Sequence, residues 1–123
     1  MVNSSVITQL ARLVLSFNAA AVPQGVIEIA KHAFLDAIGC ACAAGSDEAV
    51  KNILRTLDDL GGREECTVIG TSKRTSVVNA VLANGALIRA LDFNDHLTMD
   101  PADGTPLGGH PSDSMAVILS VGE

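Results

Sequence analysis

Aromatic side chains are nearly missing from this chain: its 123 residues include no tryptophan, no tyrosine and three phenylalanines. The hydrophobic share of 48% is carried instead by Ala, Val, Leu and Ile. That share argues against disorder, and the small aliphatic side chains favour closely packed helices. Basic charge is the second shortage. Eight Lys and Arg stand against fourteen Asp and Glu, for a net charge of −6. Apart from Lys73-Arg74 the cations are scattered singly, so the clustered positive face that nucleic acid or an anionic membrane needs is missing, and neither is expected as a partner.

Cysteine is sparse as well. Cys40, Cys42 and Cys66 form an odd set without metal-ligand spacing, and the Cys-x-Cys pair lies in an apolar helical run. They read as buried, reduced thiols of a cytoplasmic protein. No apolar run approaches the length of a membrane span. The segment "LVLSFNAAA" ends in small residues like a secretion signal, but nothing basic precedes it, and Gln9 and Arg12 interrupt the apolar run.

What is there is helical periodicity, in a chain long enough for one small domain. Val6, Leu10, Leu13, Val14 and Phe17 fall at helical spacing and predict an amphipathic first helix. Pro23 opens a second that lasts to about Ala44, where Gly45 can stop it. Its polar residues Gln24, Glu28, His32 and Asp36 recur every four, so one wet stripe is expected on a mostly buried cylinder. The small residues of "AIGCACAAG" would let a neighbour approach closely. His32, flanked by Glu28 and Asp36, reads as an ordinary exposed helical histidine. Asp47 begins a third helix ending near Leu60 at Gly61-Gly62. "ECTVIG" allows at most one short strand near 66–69. Thr75 or Ser76 can cap a fourth helix through "SVVNAVLANGALIRAL", in which Asn79, Asn84 and Gly85 read as concessions to a close neighbour. The expected fold class is therefore all-α, a helical bundle-like domain.

From Asp92 to Gly109 the periodicity fails, and the stretch reads as a long loop, the kind that in a compact domain is usually functional or disordered. Pro111 suits a first helical position, pushing His110 into the extended conformation of an N-cap and setting Asp113 toward free amides. A last helix begins in "SMAVILSVGE", and with no stop signal after it the chain reads as cut within a larger helical domain.

If the fourth helix continued one more turn, Asp92, Asp95 and His96 would share a face, while His110 would sit at the positive end of the next helix. A neutral imidazole there can act as a base near pH 7, and the free amides favour an anion such as a substrate carboxylate. These features suit elimination or proton transfer on a small carboxylic acid. Metal binding is the competing reading, because Asp92, Asp95, Asp100, Asp103 and Asp113 accompany His96 and His110. Their spacing matches neither a calcium loop nor a helical His-x-x-x-His zinc pair, so no metal is expected, and Asp100 and Asp103 read as loop-solvating charges.

"NAVLANGALIRALDFNDHL" followed by "GGHPSD" closely resembles the MmgE/PrpD family, the 2-methylcitrate dehydratase group that includes cis-aconitate decarboxylases and an iminodisuccinate epimerase. The earlier "AFLDAIGCACAAG" resembles the family's buried early helix, so the resemblance runs from Leu10 onward. It implies that residues 1–123 are the N-terminal portion of a helical domain in an enzyme several times longer, whose other domain is α+β. Such enzymes are cytoplasmic or mitochondrial, usually homodimeric, and need no cofactor. The resemblance maps the active-site positions onto Asp92 and His110. His96 stands where many relatives have Thr, and the "LTMDPADGTPL" insert is longer than in several of them. Further active-site His and Lys residues of the family lie downstream of position 123.

The activity so implied is that of a lyase on a small di- or tricarboxylic acid. His110 would transfer a proton at the carbon next to a carboxylate, Asp92 would orient it or serve as the second acid/base group, and His96, Asp95 and Ser112 would contact substrate. Dehydration, decarboxylation and epimerisation all remain open, as does a non-catalytic helical dimerisation module. The chain by itself is expected to be inactive.

Overall fold

The computed structural model describes residues 5–98, 102 and 108–123. Residues 1–30 and 31–123 form two compact units, taken in turn.

In the first unit Ser5 caps helix α1 (Val6–Leu15), its hydroxyl accepting from the Thr8 amide at 3.3 Å. The helix ends at Ser16. Asn18 then starts a single 3-10 turn, Ala19–Ala21, by accepting the Ala20 amide on its side-chain oxygen at 3.1 Å. The amphipathic pattern read from the sequence is present, and Val6, Leu10, Leu13, Val14 and Phe17 are all exposed. Pro23 lies just ahead of α2 (Gln24–Ala43), its carbonyl accepting from the amides of Val26 and Ile27.

Helix α2 departs from expectation in its burial. It buries only Ala37, Cys40 and Ala41, while Val26, Ile29 and Leu35 are exposed. The reason lies in where the small residues fall: Ala37, Cys40, Ala41 and Ala44 recur at three- and four-residue spacing, so only that stripe sits close against its surroundings.

In the second unit Asp47 caps α3 (Glu48–Leu60), one carboxylate oxygen taking the Ala49 and Val50 amides at 2.8 and 3.1 Å. The helix stops at Gly61, whose φ of 66° is the left-handed conformation that glycine adopts without strain. The expected strand forms as β1 (Cys66–Thr67) and is paired antiparallel with β2 (Arg74–Thr75), Cys66 opposite Thr75. A lone strand would leave its amides and carbonyls unmet, and the tight turn through Gly70 supplies the partner. Ser76 then caps α4 (Val77–Arg89).

A second two-residue pair closes the base of the long loop. Strand β3 (Leu97–Thr98) lies antiparallel to β4 (Gly108–Gly109), with Leu97 opposite Gly109. A 3-10 turn, Pro111–Ser114, leads into α5 (Met115–Gly122). Asp100 and Asp103 lie outside the described residues. The all-α class holds, with two short ladders where one strand was expected.

The core is built largely of alanine. Ala37, Ala41 and Ala44 meet Val50 and Leu57 of α3, Val68 after β1, Ala83, Leu87 and Ile88 of α4, and Ala116 of α5. Small side chains bring backbones near one another, and the polar groups so trapped need partners. Asn84, 1% exposed, supplies them: its oxygen accepts the Ile69 amide at 2.9 Å and its NH2 donates to the Thr67 carbonyl at 3.0 Å. Asn79 similarly donates to the Gly61 carbonyl at 2.8 Å. Both asparagines of the fourth helix thus stitch α4 to the segment before it. Among the described residues no helix is long and apolar enough to cross a membrane.

Candidate active site

Helix α4 does not take the extra turn that would have put Asp92, Asp95 and His96 on one face. It ends at Arg89, and Asp92 adopts φ 54°, with its amide donating to the Arg89 carbonyl at 3.1 Å. Asp is one of the few non-glycine residues that tolerate this left-handed conformation. The chain therefore reverses, and the exposed Asp92 carboxylate lies 3.2 Å from a guanidinium nitrogen of Arg89.

That guanidinium meets three acceptors. Nη2 faces Asp92, Nη1 donates to Asn94 Oδ1 at 2.9 Å, and Nε lies 3.4 Å from Asp113 Oδ1. Arg89 was not among the residues singled out from the sequence, although it stands only three positions before Asp92, the helical spacing of an ion pair. A guanidinium can only donate, so the Asn94 atom facing it is the oxygen. The amide NH2 is then left to donate to Ser112 Oγ, at 2.5 Å. Both Asn94 and Ser112 are buried.

His110 is the N-cap of the 3-10 turn, with Pro111 at its first position and an extended backbone of φ −115° and ψ 100°, as the sequence suggested. Its side chain, however, makes no cap bond. The Ser112 amide goes instead to Asp95 Oδ1 at 3.2 Å, so Asp95, and not an outside anion, meets that end of the turn. The imidazole turns away to place Nδ1 2.7 Å from the Asp95 carbonyl oxygen. A carbonyl carries no proton, so Nδ1–H must be the donor, which leaves Nε2 as the basic nitrogen of the neutral ring.

His96 lies beside it. The two imidazoles meet edge to face, with centroids 5.1 Å apart. The β3–β4 ladder accounts for this: His96 immediately precedes Leu97 and His110 immediately follows Gly109, and those two residues are paired. Gly108 leaves room for the first ring, since a Cβ there would stand only 3.2 Å from His96 Nε2.

The structure thus brings His96, His110, Asp95 and Ser112 together, with Asp92 tied to them through Arg89. Asp95 and Ser112, expected to touch substrate, are engaged with each other, and the Ser112 hydroxyl also accepts from Asn94. Asp95 also draws Asp36 in, its amide donating to Asp36 Oδ2 at 3.2 Å. Below lies Cys40, whose thiol is pushed up from its ordinary value by burial first and by the nearby Asp36 and Asp95 charges second. A cleft of about 370 Å³ opens beside the cluster, lined by Gly85, Ile88, Arg89, Ser112 and Asp113. Among the described residues no group of three or more His, Cys, Asp or Glu is arranged to hold a metal ion.

The chain has relatives in sequence. The family model for the MmgE/PrpD N-terminal domain matches residues 8–123. A protein of Aspergillus oryzae (strain ATCC 42149 / RIB 40) named "Cis-aconitate decarboxylase-like protein oryM" is 29% identical over 80 residues, covering 65% of this chain and 17% of its own. "Probable 2-methylcitrate dehydratase" of Saccharomyces cerevisiae (strain ATCC 204508 / S288c) is 32% identical over 102 residues, 79% of this chain and 18% of its own. The chain spans less than a fifth of the length of either relative.

Proposed function

This chain belongs to the MmgE/PrpD family, and we propose from that premise that it carries the acid/base histidine of a longer, cofactor-independent lyase acting on a small di- or tricarboxylic acid. The observation that carries the reading is the 2.7 Å approach of His110 Nδ1 to the Asp95 carbonyl. A ring held in that tautomer keeps its lone pair on Nε2 and can take a proton there without first rearranging. On protonation the same carbonyl goes on accepting the Nδ1 proton, now from a charged donor, which strengthens the bond.

In a dehydration, Nε2 of His110 takes the proton from the carbon next to a carboxylate, and the C–H electrons form the double bond. Hydroxide leaves the neighbouring carbon with a proton from a second group, departing as water. Asp92 or His96 is the nearby candidate for that second group, and His96 contacts substrate. Asp95 and Ser112 hold His110 in place, a role their own contacts support better than contact with substrate. A 2-methylcitrate-like substrate follows the name of the yeast relative. Decarboxylation of a cis-aconitate-like acid, or epimerisation, would use the same proton position in a different order. The Arg89 charge is already met by Asp92 and Asp113, so cations for the substrate carboxylates come from elsewhere in a full-length protein or from a second subunit. The reading carries with it a cytoplasmic homodimer.

A non-catalytic dimerisation module is the second reading, favoured by the exposure of Val78, Phe93, Ile118 and Val121. Incubating the full-length protein with 2-methylcitrate and with cis-aconitate, and following alkene absorbance and CO2 release, separates the two. Turnover of either acid that depends on His110 is the expected result. No turnover of any small carboxylic acid, with self-association lost on Phe93→Asp, would overturn the lyase.

A further inference from the structure

The Arg89 side chain reaches from α4 to both halves of the site. Two of its partners, Asp92 and Asn94, belong to the segment leaving α4, and the third, Asp113, belongs to the turn that follows His110. We infer that Arg89 is a positioning residue for His110, an assignment that rests on the acid/base use of His110 proposed above.

The influence runs through named contacts. Arg89 Nη1 fixes which end of the Asn94 amide faces it, and so directs the NH2 at Ser112 Oγ. Ser112 in turn gives its amide to the Asp95 carboxylate. The Asp95 carbonyl, on the same residue, holds His110 Nδ1. If the guanidinium is lost, the Asn94 amide has no reason to keep its orientation, and the bond from its NH2 to Ser112 is no longer enforced. Asp92 and Asp113 also lose the cation they share. The Asp95 carbonyl then shifts relative to the imidazole, and the ring proton is no longer confined to Nδ1.

Geometry makes the residue type specific. A planar guanidinium meets three acceptors from one position with donors aimed along its edges, whereas the ammonium of lysine is a single point that cannot span them. The side chain of Arg89 is 38% exposed, so it is not a buried charge whose removal by itself unfolds a core.

The test uses Arg89→Gln and the milder Arg89→Lys in the full-length protein, read by steady-state kinetics and by 15N NMR of the His110 ring. In both variants kcat is expected to fall on the order of 10- to 100-fold, the cost of misplacing a reacting group by a fraction of an ångström to an ångström. KM should stay within about twofold, because the binding groups are untouched. The His110 signals should change from a single Nδ1–H tautomer to a mixture, and methylguanidinium should restore part of kcat to Arg89→Ala. Wild-type kcat in Arg89→Gln with an unchanged tautomer would overturn the inference, and so would full recovery by Lys. A tautomer change in a protein whose wild type turns over no carboxylic acid would uphold the positioning and sink the proposed activity instead.

Discussion

His96 and His110 meet edge to face, with ring planes inclined at 64°, because each flanks the paired residues Leu97 and Gly109 of a two-residue ladder. Of the pair, His110 has its Nδ1 proton committed to a backbone carbonyl, and this defines where a proton can be taken up.

Replacement of His110 by Asn removes the titratable ring while keeping a donor in nearly the same place. The amide nitrogen of Asn lies the same number of bonds from Cα as Nδ1 of His, so it can still reach the Asp95 carbonyl. If His110 is the proposed acid/base group, turnover by the full-length protein is expected to fall by roughly two to four powers of ten, with the melting temperature close to wild type. Parallel losses of stability and turnover would instead make His110 a structural residue.

Asp92 separates charge from conformation. Asp92→Asn keeps a residue that tolerates φ 54° and deletes the ion pair with Arg89, so turnover should drop while folding is little changed. Asp92→Val imposes a β-branched side chain on the left-handed backbone, and an additional loss on the order of 1–2 kcal/mol is expected in urea unfolding. Equal stability of the two variants would mean the turn relaxes freely.

Turnover should survive exhaustive chelation. Among the described residues no three His, Cys, Asp or Glu converge on one point, and the nearby carboxylates are already engaged, Asp92 with Arg89 and Asp95 with the Ser112 amide. Activity lost on chelation and restored by one particular divalent ion would turn this aspartate-rich segment into a metal site.

Asn84→Leu tests the buried stitch between α4 and the segment 67–69. It leaves the Ile69 amide and the Thr67 carbonyl without their partner, for a loss of about 2–4 kcal/mol. The urea midpoint should fall with little change in slope. A near-neutral effect would show that water replaces the amide at both positions.

Acid stability should depend on Glu123. Its carboxylate accepts from the Thr67 hydroxyl and amide, both at 2.6 Å. The hydroxyl bond first, the amide bond second and, more weakly, the Arg74 charge hold it below the ordinary glutamate value of 4.5. A carboxyl lowered by folding adds stability above its unfolded value, and that stability is lost as pH falls through the lowered folded value. Unfolding free energy followed downward from about pH 5 should therefore decline less steeply in Glu123→Gln than in wild type. Superimposable profiles would remove Glu123 from the acid transition.

Much of the fold was legible because its signals are local. Asp47 and Ser76 cap helices by reaching two or three residues ahead, and Gly61 ends one by its own φ. Such signals lie within a few residues of one another, as does the "LDFND" and "GGHPSD" pattern that marked Asp92 and His110. Burial of α2 was misread for the opposite reason: an apolar composition tells what a helix could bury, while only the neighbours decide which stripe is covered.

The sequence by itself therefore determined which segments are helical and where most of them begin, the all-α class, and the two motifs that hold the candidate histidines. The tertiary structure alone decided how those motifs engage. Asn94 meets Ser112 across 18 positions, Asp95 meets Ser112 across 17 and His110 across 15, and Asn84 reaches back 17 to Thr67. Helical and strand periodicity carry information over one or two turns of chain, whereas these hydrogen bonds depend on a reversal at Asp92 and a ladder at Leu97. Arg89 became part of the site only when that reversal brought Asp92, Asn94 and Asp113 around one guanidinium.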